Sequence, residues 1–121
     1  MSKKILLLDD ETEYIASLQK FLQEFNYAVG STISSKQALE LIRDDKPDLV
    51  LFDYKSLDMD GDVFFKKAKE ICPSIPYILV TAWNDPAILE RFKKMGVTDI
   101  ILKPIDLKNL LSKLQKILGE G

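Results

Sequence analysis

The chain has 121 residues, with 17 basic and 19 acidic side chains and a formal charge of −2, a length that suits one domain over 1–121. At 46% hydrophobic and 30% charged it can build a packed core, which excludes a disordered polar tract, and the near-balanced charge argues against nucleic acid or an anionic membrane as a direct partner. Histidine is absent, which removes Ser-His-Asp and Cys-His catalysis, histidine metal ligation and haem ligation at once. The single cysteine, Cys72, can form no disulfide within the chain. It fits a reducing cytoplasm and reads as a buried or helix-end thiol. No apolar run approaches the roughly 18–20 residues that span a membrane, and the short apolar run after Lys4 leads straight into acids, unlike a signal peptide.

In chain order, the first apolar run, at 5–8, is Ile-Leu-Leu-Leu and ends in Asp9-Asp10-Glu11. A helix follows, with Ile15, Leu18, Leu22 and Phe25 on one face, and Asp10-x-x-Glu13 also reads as a capping-box variant for it. The segment 27–33, interrupted by Gly30, reads as a weaker strand nearer an edge. A capping box, Ser34-x-x-Gln37, opens a second helix with Ala38, Leu41 and Ile42 on its apolar face. The run at 49–52 ends in Asp53. A third helix carries Val63, Phe64, Ala68 and Ile71. The run at 77–80 ends in Thr81-Ala82. Asp85-Pro86 then opens a fourth helix, with Ile88, Leu89 and Phe92 facing inward, and Gly96 ends it. The run at 100–102 ends in Lys103-Pro104. After Asp106 comes a fifth helix with Leu107, Leu110, Leu111, Leu114, Ile117 and Leu118, closed by Gly119.

Unbroken apolar runs of three or four residues belong to strands buried on both faces. Five strands alternating with five helices, joined by right-handed crossovers, give an α/β three-layer sandwich. In such a sheet ligands bind outside the carboxyl ends of the strands. Asp9, Asp10, Asp53, Thr81 and Lys103 all sit there, so they converge. Two carboxylates about 5 Å apart repel by roughly 3 kcal/mol at an effective dielectric near 20, so three of them need counter-charge. Lys103 supplies one, and a hard cation with oxygen ligands such as Mg²⁺ supplies the rest. A carboxylate beside such a cation, an ammonium and a hydroxyl suits phosphoryl transfer.

Asp9-Asp10, Asp53, Met59-Asp60-Gly61, Thr81-Ala82 and Lys103-Pro104, each at its own strand end or loop, resemble the receiver domain of bacterial two-component response regulators of the chemotaxis-regulator type. The resemblance covers nearly the whole chain. It implies a flavodoxin-like (βα)5 fold, a doubly wound parallel five-stranded sheet of order 2-1-3-4-5. It implies that Asp53 is the phosphoacceptor for a phosphohistidine on a sensor histidine kinase or phosphotransfer protein. It further implies Mg²⁺ or Mn²⁺ held by Asp10 and Asp53, by Asp9 mainly through water, and by the backbone carbonyl of Lys55. Lys103 would pair with the acceptor and then with the phosphoryl group. Thr81 would move toward the phosphoryl oxygen. The Lys103-Pro104 bond would be cis. Residues 86–118, the fourth helix, fifth strand and fifth helix, would switch, contact a downstream effector and pair with a second copy on phosphorylation.

Four positions depart from that pattern. Leu57 replaces a usual proline, which would loosen the loop. Lys55, two after the acceptor, could reach Asp53 or the phosphoryl group with its ammonium, and Trp83, two after Thr81, is bulky at the mouth of the site. Together they would shield an acyl phosphate from water. Ile100 replaces the usual Tyr or Phe and is stiff at χ1, so an inward aromatic rotation is impossible and the switch must weaken or run through the fourth helix. The remaining acids Asp58, Asp60 and Asp62 read as loop and helix-start residues favouring the helix dipole. Phe21, Phe25, Phe64, Phe65 and Phe92 read as packing, and Lys66, Lys67, Lys69, Lys93 and Lys94 as solvated faces. Two other functions use similar parts. A haloacid-dehalogenase-type phosphatase shares the Asp nucleophile, Mg²⁺ and Lys, but needs Asp-x-Asp after the first strand. A pseudo-receiver adaptor would keep the fold and dispense with phosphorylation.

Overall fold

Runs that are apolar at every position become strands with no wet face. The computed structural model describes residues 2–55 and 58–119. In chain order these form β1 (Lys4–Leu8), α1 (Thr12–Glu24), β2 (Ala28–Thr32), α2 (Ser35–Asp45), β3 (Leu49–Phe52), α3 (Gly61–Ile71), β4 (Tyr77–Thr81), α4 (Pro86–Met95), β5 (Asp99–Leu102) and α5 (Leu107–Leu118). The strands pair in parallel in the order β2-β1-β3-β4-β5. The expected flavodoxin-like sandwich is therefore the fold, and β2 is the edge strand its glycine suggested.

Successive strand residues point to opposite faces, so one sheet feeds two cores. Ile5, Leu7, Leu51 and Val80 pack on α1 and α5. Leu6, Leu8, Phe52 and Leu79 pack on α2, α3 and α4. Each fully buried side chain of this size contributes about 1.5–3 kcal/mol. Phe52 is the hub of the second core. Its ring stacks on Phe65 (centroids 5.7 Å apart, planes 7° apart) and tilts against Phe64 and Phe92 at 5.5 and 6.1 Å. The residue that precedes Asp53 is thereby clamped between α3 and α4.

Several local expectations are corrected. The N-cap of α1 is Glu11, with no side-chain capping bond, so Asp10 does not cap this helix. Phe25 lies past the end of α1 and is 45% exposed, its ring tilted against Phe21 at 5.1 Å. Val63, Ile71 and Leu107 are also exposed. In α3 the inward face is Phe64, Phe65 and Ala68, a rotation that sequence periodicity alone left ambiguous. On β5 only Ile101 is buried, and Leu102 is exposed, because this strand has a neighbour on one side only. The capping box of α2 is half formed. Ser34 accepts from the Gln37 N–H, but Gln37 turns its side-chain oxygen to the Thr32 hydroxyl. Other stops agree: Asp85 and Asp106 cap α4 and α5, and Gly96 and Gly119 end them in left-handed conformations. Cys72 is the half-buried C-cap residue of α3. The consequence expected of Leu57 falls outside the described residues.

The end of α3 is closed by a strand residue. The Tyr77 hydroxyl, buried on β4, donates to the Cys72 carbonyl (2.7 Å), an acceptor the helix end leaves free, and lies 3.0 Å from the Ala68 carbonyl, which also accepts the Cys72 N–H. Tyr77→Phe removes this buried donor, and urea unfolding should show a loss of about 1–2 kcal/mol.

Candidate functional site

Strand register brings the site together. Leu8 lies opposite both Thr32 and Phe52, so the residues that follow them meet at one edge. The Asp53 N–H donates to the Leu8 carbonyl (3.1 Å) and the Asp9 N–H to the Thr32 carbonyl (3.3 Å). One carboxylate oxygen from each of Asp9, Asp10 and Asp53 falls within 4.8 Å of the others. Asp9 is buried, Asp53 half-buried and Asp10 exposed, a gradient from sheet to solvent that leaves the cluster open on one side.

Lys103 enters this cluster from the end of β5. Its ammonium donates to Asp9 Oδ2 (2.7 Å), Glu11 Oε1 (2.8 Å) and Asp53 Oδ2 (3.2 Å). An ammonium has three donors, and all three are taken by carboxylates. The ring of Tyr14 lies 4.9 Å from Nζ and adds a cation–π contact. Burial disfavours the charged form of Lys103, but the bonds to Asp9 and Glu11 and the charges of Asp53 and Asp9 outweigh it, and the ammonium is held above its ordinary range. Asp53 shifts upward. Burial is the main cause and the charge of Asp9 adds to it, while Lys103 and the Tyr54 N–H (2.7 Å) oppose it. Four carboxylates therefore face one ammonium, and the set calls for more positive charge.

Thr81 is fully buried at the end of β4. Its hydroxyl accepts from the Trp83 N–H (3.1 Å), and its carbonyl accepts from the Lys103 N–H (2.8 Å). The Lys103-Pro104 peptide is cis, as expected. The Lys55 ammonium stands 4.4 Å from the centroid of the Trp83 ring rather than at Asp53. Trp83, 43% exposed, meets Tyr54 edge-on at 6.0 Å, and Tyr54 meets Phe92 of α4 at 5.8 Å. Ile100 is half-buried in the second core. Asp62 does sit in the first turn of α3, where it pairs with Arg91 of α4. Asp58, in contrast, serves α2: its carboxylate accepts from the N–H groups of Ser35 and Lys36.

Glu11, Tyr14 and Tyr54 join the site without being among the residues that strand ends and motifs single out. Glu11 was signalled by adjacency to the acidic pair. Nothing in the chain marks Tyr14 or Tyr54, because their contacts span distant segments.

A family model, the response regulator receiver domain, matches residues 5–115. The chain belongs to that family, and is a receiver domain of the kind found in two-component signalling. It is 36% identical over 115 residues to the transcriptional regulatory protein ZraR of Escherichia coli, covering 95% of this chain and 26% of that protein. The chain thus spans about a quarter of the length of that regulator. It is 30% identical over 118 residues to sporulation initiation phosphotransferase F of Bacillus subtilis, covering 98% of this chain and 95% of that one. A CheY-like receiver domain protein from Methanospirillum hungatei superposes with a TM-score of 0.94 at 29% identity, covering 99% and 96% of the two chains.

Gly61 presses on the backbone that carries the acceptor. A Cβ there would stand 2.8 Å from Tyr54 Cα, 2.9 Å from Tyr54 O and 3.0 Å from Asp53 O. Gly61→Ala should lower stability by about 1–3 kcal/mol in urea unfolding, and should shift the Asp53 and Tyr54 amide resonances.

Proposed function

We propose that Asp53 is the phosphoacceptor of a cytoplasmic signalling module, taking a phosphoryl group from a phosphohistidine on a sensor kinase or phosphotransfer protein. The observation that carries this reading is the convergence of Asp53 with Lys103, at 3.2 Å, and with two further carboxylates. The cluster's side chains offer only hard oxygen donors, which fit Mg²⁺ or Mn²⁺. Asp10 and Asp53 would hold the cation directly, Asp9 through water, and the Lys55 carbonyl would complete the protein ligands. When bound, it neutralises charge on the carboxylates and on the phosphoryl oxygens.

In the transfer, a carboxylate oxygen of Asp53 attacks phosphorus. The bond from phosphorus to the donor's ring nitrogen breaks, and its electron pair leaves with the imidazole. The donor ring comes from outside these 121 residues, which contain no histidine. Lys103 then shares its charge with the phosphoryl group, which requires one of its three carboxylates to give way. Glu11, the most exposed of them at 59% of its side chain, gives way most easily. Thr81 turns its hydroxyl to the phosphoryl oxygen and releases the Trp83 N–H. With Ile100 unable to rotate as an aromatic would, that release reaches α4 through the segment following β4. The responding face is α4, β5 and α5, which displays exposed Leu102 and Leu107 and would contact an effector or a second copy.

Intact mass after incubation with Mg²⁺ and acetyl phosphate should show gain of one phosphoryl group in the wild type and none in Asp53→Asn. A wild type that gains nothing refutes the reading. The Lys55–Trp83 pair stands at the mouth of the site and would slow attacking water. An exposed cation–π contact is worth about 0.5–1 kcal/mol, so Trp83→Ala should speed loss of the phosphoryl group about 2–5-fold, measured as decay of the phosphorylated mass.

A further inference from the structure

The loop between β3 and α3 has both ends tied. Lys55 and Asp60 form an isolated antiparallel bridge, and the Gly61 N–H donates to the Tyr54 carbonyl at 2.5 Å. Position 57 is leucine, where a proline ring would fix φ. Asp58, next to that position, is tied by its side chain to α2. Asp58 accepts from the Ser35 N–H at 2.8 Å, the Lys36 N–H at 2.9 Å and the Ser34 hydroxyl at 3.1 Å. These N–H groups are among the first of α2, which have no partner inside the helix. A residue of one loop thus caps a different helix.

The start of α2 is itself fixed to the acidic cluster. The Ser34 N–H donates to the Thr32 hydroxyl at 3.1 Å. That hydroxyl donates to Gln37 at 2.5 Å, and the Thr32 carbonyl accepts the Asp9 N–H. A continuous run of hydrogen bonds therefore connects Asp58 to the backbone of Asp9. The turn that carries Asp53 and Lys55 and the strand end that carries Asp9 are held in one frame.

We propose that Asp58 is a positioning residue for the cation site. It ties residues 58–60 to the start of α2, and through the Lys55–Asp60 bridge it ties Lys55 there as well, so that the Lys55 carbonyl can serve the same cation as Asp9, Asp10 and Asp53. It does with a tether what a proline at position 57 would do with a ring. The proposal rests on the reading of this cluster as a divalent-cation site. Helix capping alone makes a different prediction, since it would affect stability and leave cation affinity unchanged.

The test is a titration of the ¹⁵N-labelled chain with Mg²⁺ alone, following the amides of Lys55, Ser35 and Lys36, with thermal unfolding of each variant alongside. In the wild type the three amides should shift together with one dissociation constant. Asp58→Ala should weaken Mg²⁺ binding about 10-fold and abolish the response of Ser35 and Lys36. Asp58→Asn keeps one acceptor oxygen and should fall between. Leu57→Pro added to Asp58→Ala should recover part of the loss. Unchanged Mg²⁺ affinity in Asp58→Ala, with only a lower melting temperature, would overturn the proposal and leave a cap. A wild type whose amides ignore Mg²⁺ overturns the cation-site reading itself, and the tether with it.

Discussion

The site depends on one ammonium. Lys103 reaches from the end of β5 across the sheet edge to Asp9 after β1 and Asp53 after β3. Without it, buried and half-buried carboxylates would face each other with nothing between them. A buried pair of this sort is weak evidence for stability, because desolvation offsets much of the attraction. Its effect is to hold charge where chemistry needs it. With three carboxylates on three donors, the resting lysine is fully committed, and any incoming anion must displace one of them.

The rest of the fold keeps that arrangement rigid. Each central strand delivers a functional residue directly after a fully buried apolar one: Leu8 before Asp9, Phe52 before Asp53, Val80 before Thr81. Close packing permits little adjustment of the buried member, so the polar neighbour inherits its position. Phe52 shows this best, fixed by three aromatic rings from α3 and α4. The same rings continue outward through Phe92 to Tyr54 and Trp83, so core and site mouth form one packed unit.

The loops are less regular, and their order comes from side chains acting at a distance. Asp58 caps a helix it does not belong to. Tyr77 closes α3 from a strand. Asp62 and Arg91 join α3 to α4. Gln19 of α1 donates to the Val29 carbonyl at 2.8 Å on the edge strand β2, which covers a group that would otherwise invite another strand. None of these contacts follows from local propensity.

The sequence by itself determined the alternation of strands and helices, because unbroken apolar runs and helical periodicity are local signals. It also determined which residues stand at the strand ends, Asp9, Asp10, Asp53, Thr81 and Lys103, since parallel strands all end on one side, and of these the three acids and Lys103 meet. Its errors lay at element margins. Phe25, Val63, Ile71 and Leu107 are apolar yet exposed, because a face's orientation is set by its partner and not by its own spacing. Only the tertiary structure decided the rest: that Lys55 turns to Trp83, that Glu11 and Tyr14 join Lys103, and that Asp58 serves α2. Each of these is a choice among partners many residues apart, made by distance and available donors in the folded chain, and apart from Glu11, which adjoins the acidic pair, such choices leave no mark in the order of residues.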